Sequence, residues 1–345
     1  MLATLLLALA AAEVCLALHT PLPWMIGPLL AVSLASIAGA PTASYTPLRN
    51  AGQWTIGTAL GLYFTPQVVA LVAGVWWAIA LAIAWALLLG WGFGRWLHGL
   101  HAKRMPHVPA KSMRATTYFA GAIGGASEMT LLSESAGART DLVAAAHSLR
   151  LVVVTITIPF AMQWSGLHGL EINPPMVREV NASGLLLLAL ATGMGGLAMR
   201  ALGRTNPWFM GPLVVAMGFT IAGQALSAVP TWMSNTAQLV IAVSLGVRFS
   251  REFLYTAPRW LGSVALGTVV MLVVCAGAAW LLARATGLHP ATMILGTSPG
   301  GIAEMSITAK VLQLGVPVVT AFQVCRLVAV LLLVGPMYRW IYGRK

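Results

Sequence analysis

Apolar runs that can enter a lipid bilayer occupy almost the whole chain. Twelve such runs, separated by short polar breaks, lie at residues 2–18, 22–40, 51–64, 67–95, 114–135, 141–164, 184–200, 208–226, 235–249, 258–284, 289–312 and 317–342. A helix needs about 20 apolar residues to cross the hydrocarbon core. Charged residues make up 8% of the chain, whereas a soluble domain has about a quarter. The sequence therefore predicts an all-α integral membrane protein and excludes a water-soluble one.

Positive charge is concentrated in the polar breaks between the apolar runs. The net charge is +12, and its strongest cluster lies at residues 95–114, followed by a basic C-terminus with Arg339, Arg344 and Lys345. Excess Lys and Arg mark cytoplasmic loops of membrane proteins. We therefore expect a multi-pass protein of a bacterial inner membrane, with the 95–114 loop and the C-terminus in the cytoplasm.

Three sequence motifs occur once in each half of the chain, in the same order. They pair PWMIGPL at 23–29 with PWFMGPL at 207–213, QWTIGTALGLYFT at 53–65 with QLVIAVSLGVRFS at 238–250, and GGASEM at 124–129 with GGIAEM at 300–305. At the offset of the third pair, Arg150 matches Arg326 and His147 matches Gln323. The order predicts an internal duplication, with a first repeat at 1–164, a polar linker at 165–183 and a second repeat at 184–345.

The orientation of the two repeats depends on how many times each one crosses the membrane. Six full crossings in each half would make the repeats parallel, whereas an odd number would invert them. We expect inverted repeats with broken helices. This requires that one run per half, such as 51–64, does not cross fully. The count of apolar runs leaves both arrangements open.

Two glycine pairs inside apolar runs are candidate helix breaks. Gly124 and Gly125 lie in the first half, while Gly300 and Gly301 follow Pro299, which cannot donate a backbone hydrogen bond. Irregular backbone at membrane depth is tolerated where protein or a water-filled cavity satisfies its polar groups. The alternative is that these glycines only allow close helix packing. A binding site at the breaks would also include the adjacent hydroxyl residues Ser127, Thr297 and Ser298.

Charged residues within the apolar runs are the strongest candidates for function. Glu128 and Glu304 follow the glycine pairs, and Arg150 and Arg326 lie one helix later in each half. A carboxylate within a membrane segment is costly unless it faces a cavity, gains a partner or is protonated. The sequence predicts that both glutamates bind H+ or Na+ near the breaks. Structural ion pairs with the two arginines are the alternative.

His147 is the one histidine well inside an apolar run, which makes it a candidate proton relay. A hydrogen-bonded core histidine is the alternative. The chain contains no Walker loop, no metal-ligand cluster and no nucleophile motif. We therefore expect no enzyme activity, no cofactor and no metal site.

The paired PWMIGPL and PWFMGPL motifs, the two Gly-Gly-x-x-Glu-Met motifs and the arginines that follow resemble the AbrB family of bacterial membrane proteins. The resemblance covers nearly the whole chain. It implies a duplicated membrane domain similar to elevator-type transporters with crossed, broken helices. The family is also labelled as an ammonia monooxygenase and as a regulator of gene expression. It is distinct from the small DNA-binding regulator that shares its name.

The motifs and the resemblance together favour a secondary transporter of a small solute, coupled to H+ or Na+ and working by alternating access. The expected partners are the lipid bilayer, a small solute for which an anion is one candidate, and the coupling ion, but no nucleic acid. Whether the chain forms a homo-oligomer stays open. The rival function is a membrane sensor that binds a ligand in the same cavity and affects gene expression.

Overall fold

The structure, a computed structural model, describes residues 1–105, 108–166, 179–204, 206–224, 226–249 and 257–343, without the side chain of Ser127. Regular structure within these residues is entirely α-helical. Most of the linker predicted at 165–183 lies outside the described residues, and so do Arg344 and Lys345.

The described part of the chain contains fifteen helices. Those of the first half are α1 (Leu2–Ala17), α2 (Pro23–Ile37), α3 (Thr46–Gly61), α4 (Pro66–Gly74), α5 (Trp76–His101), α6 (Ala110–Gly121), α7 (Ala126–Ser135) and α8 (Thr140–Trp164). Those of the second half are α9 (Ala182–Ala201), α10 (Pro207–Ile221), α11 (Thr231–Gly246), α12 (Pro258–Thr286), α13 (Pro290–Thr297), α14 (Ile302–Val311) and α15 (Val316–Tyr342).

Several of these helices are long and apolar enough to cross a membrane. Among the described residues they number five, namely α5, α8, α9, α12 and α15. Helices α3 and α4 meet at an angle of 87° and together would make a sixth span. Helices α1, α2 and α10 are apolar but shorter. The expectation of an all-α, multi-pass membrane protein is therefore confirmed.

Three of the predicted apolar runs contain two helices each. The run 67–95 contains parts of α4 and α5, the run 114–135 contains α7 and most of α6, and the run 289–312 contains α13 and α14. Hydropathy measures transfer into lipid and is insensitive to a change of helix direction within an apolar stretch. Glycine and proline residues mark the ends of these helices more directly. Pro66 begins α4 and Gly74 ends it.

The chain forms two compact units, and each combines segments from both halves of the sequence. Unit 1 consists of Met1–Gly74, Pro159–Glu252 and Ser306–Thr320, and unit 2 of Val75–Ile158, Phe253–Met305 and Ala321–Lys345. A repeat is defined by sequence similarity and a compact unit by contacts, so the two divisions need not coincide. The repeat boundaries at 164 and 184 stay a prediction.

Helices in unit 1 approach one another closely at glycine residues. A methyl group on Gly27 in α2 would lie 2.8 Å from the carbonyl carbon of Ala11 in α1. In the second half, a methyl group on Gly211 in α10 would overlap the backbone carbonyl group of Gly195 in α9. Lipid tails are as apolar as the helices, so tight backbone contact is what holds such pairs together.

A second pair of close contacts links helices of opposite halves within unit 1. A methyl group on Gly61 in α3 would lie 2.7 Å from the carbonyl oxygen of Leu213 in α10. A methyl group on Gly246 in α11 would lie 3.1 Å from the carbonyl oxygen of Leu29 in α2. The α3–α10 pair and the α11–α2 pair thus use the same kind of contact at matching sequence positions.

Each PW motif begins its helix in the same unusual way. Leu22, with φ 51°, and Asn206, with φ 49°, are left-handed residues that directly precede Pro23 and Pro207. The left-handed region costs a non-glycine residue about 1–2 kcal/mol, and proline disfavours helical backbone in the residue before it. Asn tolerates this conformation better than Leu does, yet both positions adopt it. The motif therefore acts as a helix start.

Unit 2 has its own apolar core, formed by α5, α6, α8, α12 and α15. Two buried polar side chains tie helices of opposite halves together there. The Tyr118 hydroxyl in α6 donates to the Val334 carbonyl in α15 at 2.9 Å. The Trp260 indole in α12 donates to the Leu142 carbonyl in α8 at 3.1 Å. These helices surround the two glycine-rich breaks.

The glycine contacts in unit 1 predict opposite effects for two alanine substitutions in one helix. Gly211→Ala should destabilise the protein by about 1–3 kcal/mol, because the new methyl group pushes α10 away from α9. Gly218→Ala, also in α10, meets no atom within 4 Å and should be neutral or stabilise by up to about 1 kcal/mol through helix propensity. Thermal unfolding in detergent measures both. Equal shifts in the two variants would contradict the close contact.

Candidate functional site

The helices of unit 2 are interrupted at both predicted glycine pairs. Helix α6 ends at Gly121 and α7 begins at Ala126, so residues 122–125 form the first break. Helix α13 ends at Thr297 and α14 begins at Ile302, so residues 298–301 form the second. The first break was expected from two adjacent glycines and the second from glycines beside a proline. Both expectations of a helix interruption agree with the structure.

The second glycine of each pair makes room for a carboxylate. A methyl group on Gly125 would overlap the carboxylate of Glu128, and one on Gly301 would overlap that of Glu304. Each glutamate is the third residue of its helix, and its side chain folds back towards the helix start. A carboxylate here lies beside the unpaired N–H groups and the positive end of the helix dipole.

The first glycine of each pair packs against a methionine instead. A methyl group on Gly124 would lie 2.8 Å from the side chain of Met129, and one on Gly300 would lie 2.9 Å from that of Met305. The glycines are therefore needed mainly because side chains of the following helix occupy the space beside them. Packing between neighbouring helices plays a smaller part, since a methyl group on Gly301 would lie 3.2 Å from the side chain of Leu151 in α8.

Arg150 in α8 binds the end of α6. Its guanidinium donates to the carbonyl of Ala122 at 2.7 Å, to that of Gly121 at 3.4 Å and to that of Ala120. The last carbonyls of a helix have no partner within the helix, and a cation there also interacts favourably with the helix dipole. Arg150 therefore satisfies the carbonyl end of the break, while Glu128 lies at the N–H end.

Arg326 in α15 does the same at the second break. Its guanidinium donates to the carbonyl of Gly300 at 2.9 Å, to that of Thr297 at 3.5 Å and to that of Ser298. It also donates to the side-chain oxygen of Gln323 at 2.5 Å. Each break thus has an arginine across its carbonyl end and a glutamate at its N–H end.

The alternative prediction, an ion pair between Glu128 and Arg150, does not agree with the structure. The donors of Arg150 are directed to backbone carbonyls; an ion pair at the protein surface joins Arg139 to Asp141 instead. The physical reason is that the break leaves carbonyls that a guanidinium can bind in parallel, whereas Glu128 turns towards its own helix.

The two arginines bring positive charge into one buried region. Arg150 is 2% exposed and Arg326 is 7% exposed, and the charge of Arg326 acts on Arg150. In both side chains Nε is buried without a hydrogen-bond partner among the described atoms. Carbonyl oxygens supply partial charge but no full negative charge. An anion that reached this region would therefore gain electrostatic attraction and at least one free donor.

His147 is a hydrogen-bonded core residue. It is 4% exposed, and its Nε2 lies 2.9 Å from the carbonyl oxygen of Phe119. Because a carbonyl can only accept, Nε2 must carry the proton in this contact. Gln323, at the matching position of the second half, donates to the carbonyl of Leu295 at 2.7 Å. The same contact with two different side chains favours structural support over proton relay.

Three hydroxyl residues were also expected at the site. Thr297 donates to the carbonyl of Met293 at 2.9 Å, and Ser298 donates to the carbonyl of Ile294. Their protons are thus used within their own helix, and their oxygen lone pairs are what a ligand would meet. The side chain of Ser127 lies outside the described residues.

Gln323 lies at the second break, although the sequence motifs did not identify it as a site residue. It contacts both Arg326 and the end of α13. The alignment that equates it with His147 was the available signal. An amide in an apolar run is a weaker sequence signal than a charged residue, although it forms hydrogen bonds with buried polar groups equally well.

The carbonyl contacts of Arg150 predict a large loss of stability on substitution. Arg150→Gln should lower the free energy of unfolding by about 3 kcal/mol, because the buried carbonyls of Ala120 and Ala122 lose their donors. Arg139→Gln removes an exposed ion pair and should cost no more than about 1 kcal/mol. Unfolding in detergent measures both. A stable Arg150→Gln variant would contradict the structural role.

The contact of His147 predicts that glutamine can replace it. His147→Gln should fold normally and keep any solute flux, because Gln323 makes the equivalent hydrogen bond in the second half. His147→Leu should be less stable by about 1–3 kcal/mol, since the Phe119 carbonyl is left buried without a donor. Stability and flux in liposomes are both measured. Loss of flux in a stable His147→Gln variant would contradict the structural role and support a proton relay instead.

Comparison with known proteins gives matches over almost the entire chain. The model of a family described as "Transition state regulatory protein AbrB" matches residues 24–342. A protein of Escherichia coli strain K12 named "Putative regulator AbrB" is 27% identical over 331 residues, or 93% of this chain and 90% of that protein. "Uncharacterized protein YhjN" of Bacillus subtilis strain 168 is 22% identical over 347 residues, or 92% of this chain and 87% of that protein.

No solved structure matches the chain significantly. The match to the family model includes both helix breaks, both glutamates and both arginines, which confirms the resemblance inferred from the motifs. Because that match extends over nearly all of its length, this chain belongs to the AbrB family.

Proposed function

We propose that this protein is a secondary transporter of a small anionic solute, coupled to H+ or Na+ and working by alternating access at the two helix breaks. One observation carries the proposal. Each break combines a buried arginine at its carbonyl end with a glutamate at its N–H end. Discontinuous helices with a charged residue are the usual binding elements of secondary transporters.

Matching contacts in the two halves support the internal duplication that this proposal requires. Gly27 meets Ala11 as Gly211 meets Gly195, at one common sequence offset. In unit 2, the contact of His147 with Phe119 and that of Gln323 with Leu295 also share one offset. Equivalent contacts within each half are expected from duplicated repeats. We propose that the repeats are inverted and that the breaks lie near the middle of the membrane.

The charge of the site favours an anionic solute. Arg150 and Arg326 are buried, and each has an unused Nε donor. Helices α7 and α14 begin at the breaks, and the N-terminus of a helix attracts anions. A small carboxylate or an inorganic anion satisfies both kinds of donor. A cationic solute would be repelled by the two guanidinium groups.

The glutamates are the proposed coupling groups. Glu128 and Glu304 lie beside the same N–H groups that an anionic solute would use. A carboxylate in that place and an incoming anion repel each other, so protonation of the glutamate or binding of Na+ would favour entry of the solute. This gives a physical reason for coupled uptake. No enzymatic step, cofactor or nucleic acid is part of the proposal.

Basic residues support the proposed orientation in a bacterial inner membrane. Arg95, Lys103, Arg104, Lys111 and Arg114 lie in or beside the segment that joins α5 to α6, and such clusters face the cytoplasm. Arg339 lies in the last turn of α15, and Arg344 and Lys345 extend the basic C-terminus beyond the described residues.

A membrane sensor that affects gene expression is the second candidate. The family description and the name of the E. coli relative both refer to regulation. A sensor would bind an anion at the same breaks without carrying it across. Purified protein in liposomes distinguishes the two. Gradient-driven uptake of radiolabelled small carboxylates and inorganic anions into the liposomes reports transport, whether or not net charge moves. A shift in thermal stability without uptake reports binding alone.

The coupling role predicts that Glu128→Gln and Glu304→Gln abolish gradient-driven flux. Gln keeps the hydrogen bonding of a helix start, so each variant should lose less than about 1 kcal/mol of stability. Glu134→Gln changes an exposed carboxylate of the same helix α7 and serves as the control with normal flux. Flux in proteoliposomes and thermal unfolding are measured together. Normal flux in both stable site variants would reject the coupling role of the glutamates.

A further inference from the structure

An apolar groove lies between α5 and α12, and one of its wall residues, Phe93, has its ring centre 5.4 Å from the Arg150 guanidinium of the first break. It has a volume of about 450 Å³ and is lined by Leu88, Trp91, Phe93, Trp96, Leu266 and Val270, among others. Leu88, Leu266 and Val270 are each more than half exposed. In a membrane protein such a surface meets lipid tails, so an elongated apolar molecule is its natural occupant.

Two glycines shape the groove. Gly92 has no atom within 4 Å of where its side chain would begin, so its missing side chain leaves open space. A methyl group on Gly267 would meet the rings of Phe93 and Trp96, which stack with centroids 5.7 Å apart. Gly267 therefore allows the two rings to lie against α12 and form one wall. The groove is an ordered feature of the packing between two helices.

Beyond the Trp96 end of the groove, polar and aromatic contacts hold the two helices together. The Nε2 of His101 lies 3.0 Å from the hydroxyl of Ser263, and the His101 ring meets that of Trp260 edge-on at 5.1 Å. Because α5 ends at His101 and α12 begins at Pro258, this end faces the basic segment that joins α5 to α6. The groove therefore runs from the membrane surface into the apolar part of the helix pair.

A basic side chain, Arg95, lies beside the groove wall. The Arg95 guanidinium lies 5.4 Å from the ring centre of Trp91, a residue of the groove wall. The charges of both Arg95 and Arg114 act on the ring of His98, so the three groups lie near one another. Basic pockets between membrane helices bind the head groups of anionic lipids. The groove thus has an apolar body and a cationic rim.

We propose that this groove binds an acyl chain of an anionic phospholipid, whose phosphate lies against Arg95. A neutral water-soluble ligand would not match the exposed leucine and valine side chains of the groove. A second copy related by a twofold axis would bring its own Arg95 to the same rim, where like charges repel. The proposal does not depend on transport.

The test uses purified full-length protein and native mass spectrometry after mild removal of lipid. The probes are phosphatidylglycerol, which is anionic, and phosphatidylcholine, which is neutral. Wild-type protein should retain one phosphatidylglycerol in preference to phosphatidylcholine. Gly92→Leu fills the groove and should lose that lipid. Gly99→Leu, on the same helix and also without atoms within 4 Å, should retain it.

A second pair of variants tests the head group. Arg95→Gln should reduce the preference for phosphatidylglycerol about fivefold, the value expected for one basic residue near an anionic surface. Arg284→Gln removes an arginine that stacks on Trp280 at 4.0 Å in the last turn of α12, far from the rim. It should leave the preference unchanged.

Three results would overturn the proposal. Equal retention of the two lipids by the wild type would exclude a head-group site. Unchanged retention of phosphatidylglycerol in Gly92→Leu would place the lipid elsewhere. Conversion of a dimer to a monomer by Gly92→Leu, without loss of lipid, would instead identify the groove as an interface between copies.

Discussion

Backbone groups that lose their hydrogen bonds at a helix break control the structure of unit 2. In lipid, each unsatisfied N–H or C=O costs several kcal/mol, so a broken helix survives only where other groups replace the missing partners. Arg150 and Arg326 serve the carbonyl ends, and Glu128 and Glu304 lie at the N–H ends. The position of α8 and α15 follows from this need, because both must deliver a guanidinium to a break.

The same interactions connect stability with the proposed function. A buried arginine held by carbonyls is compatible with an apolar interior and still carries its charge. It can therefore stabilise the empty site and attract an anion when a site opens. In the proposed mechanism the glutamates have a similar double role, as helix-start residues and as the groups that would bind the coupling ion. Close glycine contacts in unit 1 add rigid pairs of helices without polar groups, which is the usual solution in lipid.

Sequence reading predicted the local features well and the side-chain partners poorly. Adjacent glycines and Pro299 weaken a helix by their own chemistry, so the breaks could be predicted from a few neighbouring residues. The hydrogen-bond partner of Arg150 could not be predicted in this way, because Glu128 and the carbonyls of α6 were both possible acceptors. The choice depended on the direction in which Glu128 folds. For the same reason Gln323 was overlooked, since an amide shows its role only beside the groups that it satisfies.

The sequence by itself determined that the chain is an α-helical membrane protein, where its helices break and which charges lie within its apolar runs. Each of these depends on local hydrophobicity, local backbone freedom or residue type. Only the tertiary structure decided that two compact units each draw on both halves, that the arginines bind carbonyls and that a groove with a basic rim separates α5 from α12. Those features depend on distances between residues far apart in the chain, which helix packing creates and hydropathy does not encode.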